Sequence, residues 1–208
     1  MPGDPARFDM MLLLATRSAG KLRELKPLFA ERGIEVVDLE DVGLAESADE
    51  DELEAFDTFE ANALAKARYF HRLTGRPTVA DDSGLAVDAL GGRPGVRSKR
   101  WSGRADLSGQ ALDDENNRLL LASMRGARDR GAAYVCAAAY VDDTRELVRR
   151  GQVRGTIVDD ARGEGGFGYD PYFVSEELGR TFGEVSREEK ATVSHRARAF
   201  RALLAELA

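Results

Sequence analysis

A single cysteine, Cys136, stands in a chain of 208 residues, so neither an internal disulfide nor a multi-cysteine zinc site can form. Histidine is almost as scarce: only His71 and His195 occur, which excludes a histidine-rich metal centre. Any metal must then be a hard cation on oxygen ligands, such as Mg²⁺ or Mn²⁺. No apolar run approaches the ~20 residues of a membrane span. The longest near the start, Met10 to Ala15, is also too short for the core of a signal peptide, so a cytoplasmic protein away from membranes is expected. Cations are outnumbered, 30 Lys and Arg against 37 Asp and Glu, and the net charge of −7 argues against duplex nucleic acid as a partner. What remains is an ordinary globular composition, 43% hydrophobic and 32% charged, with length for one large domain or two small lobes.

Residues 1–10 contain proline and glycine and read as a flexible extension before a domain over 11–208. Apolar MLLLAT (11–16) predicts a short buried strand, RSAG a turn, and KLRELKPLFAERG (21–33) a helix stopping at Gly33. IEVVDL (34–39) reads as a second strand, and the acidic, aperiodic stretch 40–57 as an exposed loop. Asp57 with Glu60 resembles a capping box opening a helix over about 58–74. PTVA (77–80) predicts a third strand, and the glycine-rich stretch 83–105 reads mostly as loop. A helix follows over Asp106 to Arg125, carrying Leu112, Leu119, Leu120 and Leu121. Residues 132–141 and 145–158 read as a hairpin turning at DDT, and 163–171 as a glycine loop. A capping signal at Ser186 and Glu189 precedes a helix from Val193 to Leu207 with Phe200, Leu203, Leu204 and Leu207 at helical spacing. βαβ units mixed with a hairpin imply an α/β protein with a mixed sheet.

Four stretches carry chemistry. ATRSAGK (15–21) is a strand–turn–helix with Lys21 at the helix start, where free N–H groups and a lysine favour an anion. It is not a Walker A loop, because Ala15 and Leu22 stand where glycine and Ser/Thr are required. An ordinary βα turn with a surface lysine is the alternative. On the helix from residue 58, Asn62 and Lys66 share one face with Phe59, Ala63, Ala67 and Phe70, an odd place for polar groups unless they line a cleft. Asp81 and Asp82 follow the third strand. Strand alternation sends neighbours to opposite faces, so they converge only if the chain bends, as Gly84 permits. They then suit a divalent cation, with Glu54 of the acidic loop as a further ligand; otherwise Asp82 and Ser83 cap a turn and Asp81 is solvated. Finally, GEGGFGYDP offers Phe167 and Tyr169 as a stacking face for a nucleobase, and EEKATVSHR gathers Lys190, Ser194, His195 and Arg196, donors suited to phosphate or a carbonyl. Acids, phosphate-binding cations and an aromatic platform together point to a nucleotide.

In this order, TRSAGKLREL, TFEANALAKA, ADDSGLAVDALGGRPGV, GGFGYDPYF and EEKATVSHRARAF closely resemble the motifs of the inosine triphosphate pyrophosphatase family over about residues 11–207. The resemblance implies a homodimeric enzyme that converts non-standard purine triphosphates (dITP, ITP, XTP) to the monophosphate and pyrophosphate. It also implies an elongated mixed sheet with flanking helices, in two lobes with the active cleft between them. Carried onto this chain, Thr16, Arg17, Ser18, Ala19, Gly20 and Lys21 would hold the triphosphate, with Asn62 and Lys66 lining the phosphate cleft. Asp82 would accept the proton of the attacking water and bind Mg²⁺, Glu54 and Asp81 would assist the metal, and Ser83 would touch substrate. Phe167 would stack on the base, with Gly168, Tyr169 and Asp170 shaping its pocket, while Lys190, His195 and Arg196 would read the base. Ser18 stands where the family usually has asparagine. Two further readings remain at this point: a pyrophosphatase of the same fold for other modified nucleotides, and a catalytically weak nucleotide-binding regulator.

Overall fold

The computed structural model describes residues 11–207, so the extension expected over 1–10 lies outside the described residues. Consecutive leucines make β1 (Leu12–Leu14), buried throughout, and it lies parallel to β2 (Val36–Asp38) on one side and β3 (Thr78–Val87) on the other. β4 (Gly131–Val141), β5 (Glu146–Ile157) and β6 (Phe173–Ser175) then add antiparallel, giving one six-stranded sheet in the order β2–β1–β3–β4–β5–β6. The mixed sheet and the hairpin are as expected. β6 is too short to show a period in the sequence.

Among the described residues, five α-helices cover the sheet: α1 (Ala19–Ala30), α2 (Phe59–Thr74), α3 (Gly109–Ser123), α4 (Arg187–Val193) and α5 (His195–Leu204). One face is closed by α1 and α5 through Leu14, Leu25, Phe29, Tyr140, Phe200 and Leu203. The other is closed by α2 through Leu13, Phe59, Ala63, Ala67, Phe70 and Ala80. Leu85, Leu120, Met124, Phe173 and Phe182 form a third core toward the far end of the long strands. Each fully buried side chain of this size stabilises the fold by about 1.5–3 kcal/mol.

The structure differs from the sequence reading in several places, among them the stretch 83–105 expected as mostly loop, where β3 reaches Val87 and 3₁₀ helices span Asp88–Leu90 and Gly95–Arg100. The strand expected to end at Ala80 runs on to Val87, so Asp81 and Asp82 lie inside β3, paired with Ala138 and Ala137 of β4, and no bend occurs at Gly84. Gly84 serves close approach instead: a Cβ there would sit 2.3 Å from the Gly95 carbonyl oxygen and 2.4 Å from Ser98 Oγ. The cap of α2 is Thr58 rather than Asp57, with Thr58 Oγ1 accepting from the Ala61 N–H. Within the acidic stretch 40–57, a 3₁₀ helix spans Ala48–Glu54 behind a capping box of Ser47 and Glu50. At the C-terminal end, Ser194 ends α4 and caps α5, so two short helices replace one.

Candidate active site

A cleft of about 510 Å³ opens where the β1–α1 turn, the 3₁₀ helix, α2, β3, α3, the 163–171 loop and the α4–α5 junction meet. Its floor is the first turn of α1. Ser18 caps that helix, its Oγ accepting from the Lys21 N–H at 3.3 Å, so serine fills the capping role here. Thr16 Oγ1 accepts from the Ser18 N–H. Arg17 lines the cleft wall, where it donates to both carboxylate oxygens of Glu50 and to the carbonyls of Leu44 and Ala45, pinning the 3₁₀ helix to the turn. Gly20 admits an aromatic ring, since a Cβ would lie 2.8 Å from Phe167 Cδ1 and Cε1.

Asp82 is buried on the α2 side of the sheet. Its Oδ2 accepts from Asn62 Nδ2 at 2.8 Å, and Lys66 Nζ stands 3.7 Å from its Oδ1. Lys66 also donates to Glu54 at 2.9 Å, and Arg100 holds the other Glu54 oxygen at 2.8 Å. Burial raises the Asp82 carboxyl above the usual carboxylate range, although Lys66 and Lys21 pull the other way. Burial works against the charge on Lys66, but Glu54 and Asp82 outweigh it and keep the ammonium protonated. Asn62, Lys66, Glu54 and Asp82 are thus brought together.

Asp81 faces the opposite way. Lys21 Nζ lies 3.0 Å and Arg196 Nε 3.3 Å from its Oδ2, on the α1–α5 side of the sheet. Burial opposes its charge, yet Lys21 and Arg196 together hold the carboxyl well below the usual range. The two acids therefore do not converge on one cation. Asp81 instead joins the lysine of the helix turn to the arginine of α5.

Arg196 also donates to Ser83 Oγ at 2.8 Å and pairs with Glu24, which accepts from Lys190 at 2.7 Å as well. Lys190 reaches Asp170 at 2.7 Å, and its ammonium lies 5.1 Å from the Phe167 ring centroid. His195 stacks on Tyr134 with ring centroids 4.7 Å apart and planes 7° off parallel. Burial, reinforced by Arg196 and Lys190, drives its pKa well below the ordinary value, so the ring is neutral at pH 7 and offers one donor and one acceptor. Both Phe167 and Tyr169 line the cleft, but Tyr169 is buried with its hydroxyl donating to the Ser98 carbonyl at 2.8 Å.

Sequence reasoning misses several residues at or beside the cleft. Glu24 lies within TRSAGKLREL, one turn beyond Lys21 on α1, yet nothing in that stretch marks it as the partner of Arg196 and Lys190. Asp113, Asn116 and Asn117 of α3 are others: with Leu120 they occupy the buried face at i, i+3, i+4 and i+7, whereas Leu112, Leu119 and Leu121 are only partly buried. That polar stripe at helical spacing was the available signal.

As donors for a metal, Glu54 and Asp82 supply hard oxygens to either side of one ammonium. Among the described residues no set of three or more His, Cys, Asp and Glu converges on a point. Two carboxylates are too few for an all-protein cage. They fit an ion such as Mg²⁺, which keeps waters and takes further ligands from substrate phosphates.

The Ham1 family model matches residues 12–206. Relatives of the chain include the dITP/XTP pyrophosphatase of Frankia alni, 47% identical with 93% of this chain and 95% of that one covered, and that of Ralstonia nicotianae, 43% identical with 94% and 96% covered. Among solved structures, a HAM1 protein from Coxiella burnetii superposes with a TM-score of 0.81 at 32% identity, covering 95% of this chain and 98% of its own. The nucleoside-triphosphatase / dITP/XTP pyrophosphatase of Mycobacterium abscessus gives 0.72 at 44% identity, with 96% and 100% covered. With the family model matching nearly its whole length and solved relatives sharing its fold, the chain belongs to the Ham1 family.

Proposed function

We propose that this protein is a nucleoside triphosphate pyrophosphatase that hydrolyses dITP, ITP and XTP to the monophosphate and pyrophosphate, clearing them from the nucleotide pool. The observation that carries the reading is Asp82, a buried carboxylate of raised pKa, oriented by Asn62 and set beside Lys66 at the mouth of an anion-binding helix turn. A base must be ionised yet willing to take a proton, and burial tunes a carboxylate that way. Asp82 takes a proton from water as the water oxygen bonds to the α-phosphorus. The bond from that phosphorus to the α–β bridging oxygen then breaks, and pyrophosphate leaves. Lys66, Lys21 and the N–H groups of the first turn of α1 stabilise the charge gathering on the departing oxygens, the larger catalytic contribution. Glu54 and Asp82 would hold a divalent ion, with Mg²⁺ the expected one, which when bound would draw charge from the phosphate oxygens.

Base choice rests on hydrogen-bond polarity. Hypoxanthine and xanthine present a 6-oxo acceptor and an N1–H, whereas adenine presents a 6-amino donor and a bare N1. Arg196 has five N–H groups, of which Glu24, Asp81 and Ser83 take three, and Lys190 has three, of which Glu24 and Asp170 take two. The remaining donors suit a 6-oxo group, and adenine would leave buried groups unpaired at about 1–3 kcal/mol each. A homodimer in the cytoplasm completes the proposal, and light scattering at twice the monomer mass tests the first part. Asp82→Asn keeps the size of the side chain and an acceptor for Asn62, so dITP should still bind while turnover falls by roughly 10²–10⁴-fold. Turnover at the wild-type rate would remove Asp82 from the role.

A further inference from the structure

Both backbone polar groups of Gly168 are held by a single helix. Its N–H donates to Asp113 Oδ2 at 2.9 Å, and its carbonyl accepts from Asn117 Nδ2 at 2.9 Å. The two side chains lie one turn apart on α3, and both are buried. Gly168 itself adopts φ +63°, a conformation other residues rarely take, though a side chain there would meet nothing. On either side, the Phe167 N–H donates to Asp170 Oδ2 and the Tyr169 hydroxyl to the Ser98 carbonyl. The backbone from Phe167 to Tyr169 is therefore fastened from several directions, while the Phe167 ring reaches across to Gly20 on α1.

We propose that Asp113 and Asn117 are positioning residues for Phe167: by fixing Gly168 they fix where the ring stands over the cleft. The proposal rests on the reading of Phe167 as the base-stacking group. Asn117 leaves its Oδ1 buried with no partner, an arrangement that an apolar side chain would avoid, so packing alone does not account for asparagine here. Asp113 also accepts from Lys99 Nζ at 2.9 Å, and Asn116 accepts from the Ser102 N–H and donates to the Lys99 carbonyl. One face of α3 thus ties the aromatic loop to the 95–102 segment of the cleft wall.

The test is a double-mutant cycle on dITP hydrolysis with kcat and KM separated. Asn117→Ala should raise KM by about fivefold to tenfold with kcat within about twofold, the size of one lost hydrogen bond. Added to Phe167→Ala, it should raise KM no further, because the ring through which it acts is gone. Asp113→Asn, which keeps an acceptor for the Gly168 N–H, should stay near the wild-type KM, whereas Asp113→Ala should behave as Asn117→Ala. This second pair, run through the same cycle, carries the test if Asn117→Ala does not fold. An equal KM rise in both backgrounds, or a fall in kcat alone, overturns the positioning role. If the wild type does not turn over dITP, or Phe167→Ala leaves KM unmoved, the stacking reading fails and takes the proposal with it. If Phe167→Ala raises KM and the cycle is additive, the role of α3 fails alone.

Discussion

Gly20→Ala separates what the first turn of α1 does for the fold from what it does for substrate. Gly20 is helical with no positive φ, so its backbone accepts alanine. A Cβ there would lie 2.8 Å from Phe167 Cδ1 and Cε1 and 3.2 Å from Cγ, against an ordinary contact of 3.4–4 Å. Since α1 is tied down by the Ser18 cap, the ring must retreat, by roughly 0.6–1.2 Å. The helix gains up to ~1 kcal/mol from alanine in place of glycine, less so close to its end. Stacking on an aromatic ring is worth about 1–3 kcal/mol per base, so losing half of it costs on the order of 1 kcal/mol, or about fivefold in KM. The expected result is an equal or higher melting temperature with KM for dITP raised about fivefold and kcat little changed. The assay is steady-state pyrophosphate release alongside a thermal melt. A folded Gly20→Ala protein with wild-type KM would refute the placement of Phe167 as the stacking group.

Two further outcomes concern titration. Burial works against the charge on Glu24, but Arg196 and Lys190 prevail and hold its carboxyl at about 2. A depressed carboxyl stabilises the fold above its unfolded value, so about 3 kcal/mol should be lost as pH falls from about 4.5 toward 2; Glu24→Gln should flatten the acid-unfolding curve in that window, and an unchanged curve contradicts the pairing. Asp82 is shifted the other way, so the folded protein holds its proton more tightly than the unfolded chain and its charge costs stability at neutral pH. In metal-free buffer at neutral pH, Asp82→Asn should therefore melt no lower than wild type; a large drop in melting temperature would make Asp82 a structural residue instead.

Periodicity made most of the fold readable, because each long helix and strand buries one apolar stripe against the sheet. The same rule located Asn62 and Lys66, polar groups in a stripe that also holds Phe59, Ala63, Ala67 and Phe70. It failed where polar residues are buried on purpose. Asp81, Asp82 and Ser83 look like the end of a strand because unpaired acids resist burial, yet β3 continues through them once Asn62, Lys66, Lys21 and Arg196 supply partners from distant segments. No local signal announces those partners. Leu112, Leu119 and Leu121 suggest an apolar face, yet Asp113, Asn116 and Asn117 fill the buried face of α3 beside Leu120, Asp113 and Asn117 holding the aromatic loop and Asn116 the 99–102 segment. The Ham1 motifs supplied the cleft residues that periodicity could not, but not the separation of Asp81 from Asp82 across the sheet.

Pyrophosphate release from dITP, dATP and dGTP at equal concentration, with Mg²⁺ and with chelator, decides whether this chain is a pyrophosphatase of non-standard purine nucleotides. The expected result is Mg²⁺-dependent conversion of dITP to dIMP and pyrophosphate, with kcat/KM at least about fivefold above that for dATP, as one unpaired buried group at about 1–3 kcal/mol requires. Release of single phosphate instead of pyrophosphate, or equal turnover of dATP, would contradict it.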